Sequence, residues 1–293
     1  MKMNKKNNFP LFAIVYWIFA ALLAVYFLLP FFVLVTRSLM SLEEITQVPA
    51  PFFPGKLQFE NFVYPFTMKL DEGVTIFGSI INSITVMLLK TVGVTVSSFI
   101  CSFALSRIKF RGRNILFSCA MVTVMLPGVV TMIPLFMLYK ELRMLNTLLP
   151  LWLPACFGGG MMVIFLEMQF VKSISKTIDE AATIDGANYL QIAFLIILPL
   201  VKPVLTYVAV TTAIGSWNDF MAPLTYISTA FPEKYTLPLA FFVKFKNAVS
   251  VQAQMPHIKA SLSLIMMVPI FLLFAFFHKQ MIHGVSMGAS IKG

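Results

Sequence analysis

The sequence predicts an all-α integral membrane protein with six transmembrane helices. Its 293 residues are 59% hydrophobic and only 12% charged, which is about half the charged fraction of a typical soluble domain. Several apolar runs reach the roughly 20 residues that a helix needs to cross a bilayer. Helices satisfy their own backbone in lipid, and no alternating ten-residue pattern of barrel strands occurs.

The predicted spans follow the apolar runs in order along the chain. They are 11–36, 76–105, 115–138, 148–171, 204–228 and 260–282. The first run exceeds the roughly 7–15 apolar residues of a signal peptide, and no small-x-small cleavage site follows it, so we expect a retained helix. We therefore predict that residues 1–10 form a tail and that 11–293 form a single transmembrane domain. Prolines inside the spans, such as Pro127, indicate kinks.

Positive charge predicts the orientation of these spans. Three lysines lie in residues 1–8 and four basic residues in 107–114, and short basic segments stay on the cytoplasmic side of a cell membrane. Both termini and the loop at 172–203 are then cytoplasmic, while the loops at 37–75 and 229–259 face outward. The outer loop 229–259 also carries four lysines, but the rule weighs short loops most. Anionic lipid explains the formal charge of +10 better than nucleic acid does.

The sequence carries no pattern that predicts an enzyme. It lacks a phosphate-binding GxxxxGK[ST] loop, the zinc-binding HExxH and the nucleophile motif GxSxG. Its three histidines are scattered, and its three cysteines match no zinc or redox spacing. We therefore expect no catalytic residue, metal or cofactor on this chain. Energy for any work must come from a gradient or from another chain.

The loop at 172–203, which we call the EAA loop, interrupts the apolar sequence with EAATIDGANYL. Thr177 and Glu180 have the spacing of a capping box, which predicts a helix start. The two alanines after Glu180 permit close approach of another surface, and Gly186 suits the end of the helix. A second helix over about 188–198 is expected to stop at the next proline. These residues alone fit either a capped interfacial helix or a docking element for a cytoplasmic partner.

The EAA loop resembles the signature cytoplasmic loop of ABC importer permeases. The matching residues are Glu180, Ala181, Ala182, Asp185, Gly186, Ile196, Leu198 and Pro199, without insertion or deletion. Further matches are Asn82-Ser83, the stretch 104–107, Trp217-Asn218-Asp219-Phe220 and the C-terminal GVSMGASIKG. Ser175 stands where the family usually has proline. As a whole the chain resembles the shorter membrane subunit of maltose-transporter-type carbohydrate permeases.

This resemblance implies a type I ABC importer permease fold with a cytoplasmic coupling helix. It implies that Glu180, Ala181, Ala182, Asp185 and Gly186 contact a separate ATPase subunit, which binds ATP and Mg. It also implies a heterodimer with a second homologous permease, two ATPase copies, an extracytoplasmic solute-binding protein and an oligosaccharide substrate. One alternative keeps the mechanism but changes the cargo to polyamine, phosphate or another solute. Another is a gradient-driven carrier or a scaffold without an ATPase.

Polar residues inside the spans are candidates for the translocation pathway or for contacts within the bundle. They are Asn82, Lys90, Trp217, Asn218 and Asp219. A charge such as that of Lys90 is costly in the middle of a span, so it lines a sugar path, forms a structural pair or snorkels. An aromatic face beside hydrogen-bonding groups suits a sugar, and equally suits contacts between helices. Glu167, near the end of the fourth span, is expected to snorkel or to pair at an interface.

Overall fold

The computed structural model describes residues 10–67, 75–246 and 254–290, and no strand occurs in these ranges. The helices are α1 (Pro10–Ser38), α2 (Leu42–Thr46), α3 (Glu60–Thr67), α4 (Ile76–Arg107), α5 (Arg113–Val124), α6 (Gly128–Glu141), α7 (Leu149–Trp152), α8 (Met161–Ser173), α9 (Lys176–Ile184), α10 (Tyr189–Trp217), α11 (Met221–Tyr226), α12 (Leu237–Phe245) and α13 (Pro256–Ser290). All but the last residue of the predicted 1–10 tail, and the last three residues of the C-terminal motif, lie outside the described ranges.

The described residues fall into two compact units, one within 1–68 and 247–268 and one within 69–246 and 269–293. The predicted single domain over 11–293 stays a prediction. In the first unit, α2 begins with a capping box between Ser41 and Glu44. The carboxylate of Glu44 accepts hydrogen bonds from the backbone of Ser41 and of Gly55. These bonds stabilise the charged form and lower the pKa of Glu44.

The second unit is organised around α4, which packs against both α8 and α10. Its buried face carries Val94, Ser98, Ser102 and Ser106 at intervals of four residues, the spacing that aligns side chains on one side of a helix. Small side chains on this face let neighbouring helices approach closely in a membrane. The helix contains no proline, so its hydrogen-bonded ladder runs unbroken.

Most of the predicted spans are confirmed. In the described ranges five helical segments are long and apolar enough to cross a membrane, and a bent pair would make six. The five are Ala13–Ser38, Ile76–Arg107, Leu149–Ser173, Tyr189–Trp217 and Pro256–Gln280. The all-α fold class is confirmed with them.

The third span, predicted over 115–138 as one helix, is instead a broken pair. Its halves α5 and α6 meet at an angle of 105°. The break falls at Pro127, which lies outside both helices in an extended conformation. Proline has no N–H to continue a helix, and it restricts the preceding residue. The proline therefore redirects the chain instead of kinking it.

The fifth span was predicted at 204–228, and this was wrong. The helix α10 begins at Tyr189 and ends at Trp217. The expected separate helix over 188–198 is the first part of α10, and Pro199 does not stop it. The turns Ile192–Ile197, just before that proline, are π-helical, and such wider turns accommodate an irregularity in the ladder.

Glu167 lies on α8 with 1% of its surface exposed, so of the two expected roles it does not snorkel and instead pairs where two helices meet. Its Oε1 accepts a hydrogen bond of 2.9 Å from Ser98 Oγ on α4. A carboxyl group in a membrane bundle is costly without partners. The serine supplies one, and the contact joins α8 to α4.

We predict that Glu167→Gln changes the free energy of unfolding by less than about 1 kcal/mol, because the amide oxygen can still accept the Ser98 hydrogen bond. Glu167→Lys should lower it by about 3–5 kcal/mol, because it buries an unpaired charge. Detergent-titrated unfolding in mixed micelles measures both effects. Glu141→Lys, at the exposed end of α6, is the matched control and should change it by about 0.5 kcal/mol or less. A Glu167→Lys variant with the same free energy of unfolding as the unchanged protein would contradict this account.

Candidate functional site: the EAA loop

Within the EAA loop, α9 is a short helix whose start differs from the predicted one. Its N-cap is Ser175, whose Oγ accepts the Thr177 N–H at 3.3 Å. The predicted capping box between Thr177 and Glu180 is therefore wrong, because Thr177 already lies inside the helix. Serine is among the preferred N-cap residues. Ser175, which stands where the family usually has proline, is thus the residue that caps the start of this helix.

The end of α9 agrees with the sequence prediction. Gly186 has φ of +86°, which glycine adopts without steric cost. Its N–H donates to the Thr183 carbonyl at 3.0 Å, and the Ala187 N–H donates to the Ala182 carbonyl at 2.9 Å. These two bonds form a Schellman motif. The chain is then turned sharply toward α10.

The next helix starts almost at once, with a capping box. Asn188 Oδ1 accepts from the Gln191 N–H at 2.9 Å, and Gln191 Oε1 accepts from the Asn188 N–H at 2.8 Å. Each side chain satisfies a backbone donor of the other. Because both helix ends are capped, the corner between α9 and α10 has a defined geometry.

One side of α9 packs into the protein's own core. Ala182 is buried in a cluster formed by residues of α4, α8 and α10. The members include Phe99, Phe103, Phe170, Val171, Ile192, Ala193 and Ile197. The small side chain of Ala182 thus allows close approach of the transmembrane helices themselves. This packing fixes α9 to the second unit.

Arg107, at the end of α4, adds a polar attachment to α9. Its Nε lies 2.9 Å from Asp179 Oδ2, and its Nη2 donates to the Ile174 carbonyl at 2.8 Å. The arginine side chain is 4% exposed. A guanidinium presents several donors in a rigid plane, so one side chain holds both the start and the first turn of α9.

Burial raises the pKa of the Asp179 carboxyl, while the charge of Arg107 acts in the opposite direction. An open cavity of about 380 Å³ adjoins this pair. Its charged lining residues are Arg107, Lys109, Lys176, Asp179 and Glu180. The pair therefore lies at the edge of a surface with mixed charge.

The remaining surface of α9, including its C-terminal end, is open. Glu180, Ala181, Asp185 and Gly186 are all exposed. Ile184 is 86% exposed and is the most exposed large apolar side chain of this helix. Covering such a side chain with another surface is favourable by about 25 cal/mol per Å². The exposed surface therefore offers one large apolar side chain and two acidic groups, those of Glu180 and Asp185, to a partner.

Among the residues predicted for the pathway, the structure brings Lys90 and Asp219 together. Lys90 Nζ lies 3.8 Å from Asp219 Oδ2, with about a quarter of each side chain exposed. Asp219 Oδ1 also accepts from the Ala222 N–H at 3.1 Å. Trp217 is buried and Asn218 is exposed. This arrangement favours the structural pair among the roles considered for Lys90.

Asn82 lies elsewhere and holds the segment before α12. Its Nδ2 donates to the carbonyls of Glu233 and Tyr235 at 2.8 and 3.0 Å. Next to it, Ser83 Oγ accepts from the Leu237 N–H at 2.8 Å. Three hydrogen bonds thus fix the segment 233–237 to the start of α4. Within the described ranges, no three His, Cys, Asp or Glu side chains are arranged to hold a metal ion.

Sequence reasoning did not identify the contact between Arg107 and Asp179. Arg107 was recognised as part of a motif, but no partner was assigned to it. Asp179 immediately precedes Glu180, the first residue of the EAA motif, and that adjacency is the signal that the sequence offers. The pairing itself joins distant parts of the chain, so no local pattern reveals it.

Residues 93–281 match the protein family described as binding-protein-dependent transport system inner membrane component. The arabinooligosaccharides transport system permease protein AraQ of Halalkalibacterium halodurans is 31% identical over 244 residues, or 83% of this chain and 82% of the relative. AraQ of Bacillus subtilis is 27% identical over 288 residues, or 98% of each chain. The melibiose/raffinose/stachyose import permease protein MelC of Bacillus subtilis is 26% identical over 275 residues, or 94% of this chain and 95% of the relative.

The structure is similar to a chain in the crystal structure of a bacterial ABC transporter involved in the import of the acidic polysaccharide alginate. The TM-score is 0.81 with 23% sequence identity, covering 95% of this chain and 99% of that chain. This likeness confirms the predicted importer-permease fold.

We predict that the side chains of Arg107 and Asp179 stabilise α9 jointly. In a double-mutant cycle of Arg107→Gln and Asp179→Asn, the coupling free energy for local opening of α9 should be about 1–3 kcal/mol. Amide hydrogen exchange across α9 measures this opening. Lys176→Gln, on the same helix, is the control and should change exchange little. Purely additive single effects would show that the two charges act independently.

Proposed function

Because the chain belongs to the family of binding-protein-dependent transport system inner membrane components, we propose that it is the permease subunit of an ABC importer for a carbohydrate, with an oligosaccharide as its substrate. The names of its relatives support this cargo, since AraQ is named for arabinooligosaccharides and MelC for melibiose, raffinose and stachyose. Those names favour a sugar over polyamine or phosphate. They also favour an importer subunit over a gradient-driven carrier.

The observation that carries the proposal is the two-sided arrangement of α9. Ala182 and Asp179 attach its inner side to the transmembrane helices, while Glu180 and Ala181 are exposed along the helix and Asp185 and Gly186 at its end. An element that is both rigidly attached and open to contact can transmit motion. In the proposed mechanism a separate ATPase subunit binds this face and moves α9 as it closes on ATP and Mg.

The chain's own residues then carry the motion into the membrane. Arg107 transmits displacement of α9 to α4, and the continuous peptide after Gly186 transmits it to α10. Movement of these helices exposes the pathway alternately to each side. Lys90 lies on α4, and Asp219 lies just after the end of α10. The distance between their charged groups therefore changes if α4 and α10 move apart. We retain Asn82, Trp217 and Asn218 as candidate pathway or bundle contacts.

The proposed assembly contains a second homologous permease, two ATPase copies and an extracytoplasmic solute-binding protein. A related crystal structure, of a bacterial alginate ABC transporter, is described as a complex with a periplasmic protein bound to an alginate pentasaccharide. We propose that both termini and the EAA loop are cytoplasmic, with the 229–259 loop meeting the solute-binding protein outside. ATP and Mg belong to the ATPase subunits and not to this chain.

The proposal is tested by purifying the tagged chain from its native host in mild detergent and identifying the proteins that accompany it by mass spectrometry. We expect a P-loop ATPase and a second permease. Reconstitution of that complex with its binding protein should give ATPase activity that an oligosaccharide stimulates. Recovery of the chain alone, under conditions that keep a known importer intact, would refute the importer assignment.

We predict that Gly186→Leu uncouples ATP hydrolysis from transport while leaving membrane insertion intact. No atom lies within 4 Å of a Cβ at Gly186, so the damage is to the backbone. A left-handed conformation costs a non-glycine residue about 1–2 kcal/mol, which turns the corner away from its docking geometry. Substrate uptake and ATPase activity are measured together in proteoliposomes.

Two variants serve as controls for this prediction. Asn tolerates positive φ better than other residues, so Gly186→Asn should retain most of the transport. Gly112 also has a positive φ, of 83°, and open space around it, but lies before α5; Gly112→Leu imposes the same strain outside the EAA loop. Normal transport by a stably expressed Gly186→Leu variant would refute the coupling role.

A further inference from the structure

The loop between α4 and α5 forms an open cavity of about 580 Å³, which we call the basic cavity. Its lining residues are Lys109, Phe110, Arg111, Gly112, Arg113, Asn114 and Ile115. Three of these seven residues are cationic, and none is acidic. A concave surface with one sign of charge concentrates ions of the opposite sign.

The cationic side chains of the basic cavity make no polar contact with other side chains that the structure describes. In the ranges that the structure describes, Lys109, Arg111 and Arg113 have no side-chain hydrogen bond or ion pair. The neighbouring Arg107 behaves differently, because it is buried and paired with Asp179. The four basic residues of 107–114 thus divide into one that holds α9 and three that are available to a ligand.

The basic cavity lies between two apolar helical segments. The loop that forms this cavity joins the end of α4 directly to the start of α5. Both helices belong to apolar segments with the composition of membrane spans. The connection comprises only residues 108–112, so in a membrane we expect it to stay near the end of the span. Phe110, which lies between the cations, is exposed, and an aromatic ring beside basic groups is typical of a surface that enters the headgroup region.

These observations point to a binding site for the phosphate headgroup of an anionic phospholipid in the basic cavity. Arg111 and Arg113 would bind the phosphate oxygens, since guanidinium groups suit phosphate, while Lys109 adds charge and Phe110 contacts the acyl region. Lys109 also lines the cavity beside α9, whereas Arg111 and Arg113 do not, so the two arginines define the site. It requires that the chain lie in a membrane, but it does not depend on the proposed cargo.

The test uses the chain purified in detergent with the subunits that accompany it. The complex is titrated with phosphatidylglycerol and with phosphatidylcholine of the same acyl chains, and bound lipids are counted by native mass spectrometry. The variant is Arg111→Gln/Arg113→Gln, which keeps Lys109 and Arg107. The matched control is Lys140→Gln/Arg143→Gln, which removes two cations around the other end of the same broken span.

We expect the unchanged complex to bind phosphatidylglycerol more tightly than phosphatidylcholine. Each basic residue near an anionic lipid surface contributes about a factor of five in affinity, so Arg111→Gln/Arg113→Gln should weaken phosphatidylglycerol binding by about 25-fold and leave phosphatidylcholine binding unchanged. The control pair should retain the preference. Arg111→Lys/Arg113→Lys, which keeps both charges and guards against a folding defect, should retain most of it.

Three outcomes would overturn the inference. Equal loss of phosphatidylglycerol in the test and control pairs would mean that only total charge matters. Displacement of the lipid by millimolar inorganic phosphate would assign the site to a free anion. Binding by the permease alone, but not by the complex with its ATPase, would show that a protein surface covers the cavity. None of these outcomes would alter the importer assignment, which the accompanying subunits decide.

Discussion

The side chain of Arg107 joins the end of a transmembrane helix to a peptide 67 residues further along the chain. With Asp179 and the Ile174 carbonyl as its partners, it makes α9 an extension of the bundle. Without that attachment, Ala182 and its apolar neighbours would hold the helix by packing alone. The exposed face of α9 is useful because its inner side is fixed, since a loosely held helix would absorb a displacement instead of passing it on.

The same principle governs the polar groups within the bundle. In a hydrocarbon environment an ionisable side chain needs a partner. Lys90 and Glu167 each have a partner on another element. Lys90 meets Asp219, and Glu167 accepts from Ser98. These contacts join α4 to α8 and to the segment after α10. The polar contacts inside this protein thus attach its helices to one another, and most of these contacts involve α4.

The local features of the sequence were predictable, whereas the long-range ones were not. Apolar length identified the first, second, fourth and last spans, and the need for positive φ identified Gly186. Proline was the main source of error, because its effect depends on the turn around it: Pro127 breaks a span, whereas Pro199 follows π-helical turns and does not. Ser175 and Thr177 are both good caps two residues apart, so composition could not choose between them. The partners of Arg107 and Asn82 could be identified only from the folded structure, because they lie far away in the sequence.

The unbroken ladder of α4 has a mechanical consequence. Its 32 residues span about 48 Å, with Asn82 and Ser83 holding the segment 233–237 near one end and Arg107 holding α9 at the other. A stiff rod that is attached at both ends behaves as a lever. A tilt of about 10° around its midpoint displaces each end by about 4 Å in opposite directions. Events on the two faces of the membrane are thereby geometrically linked through a single helix.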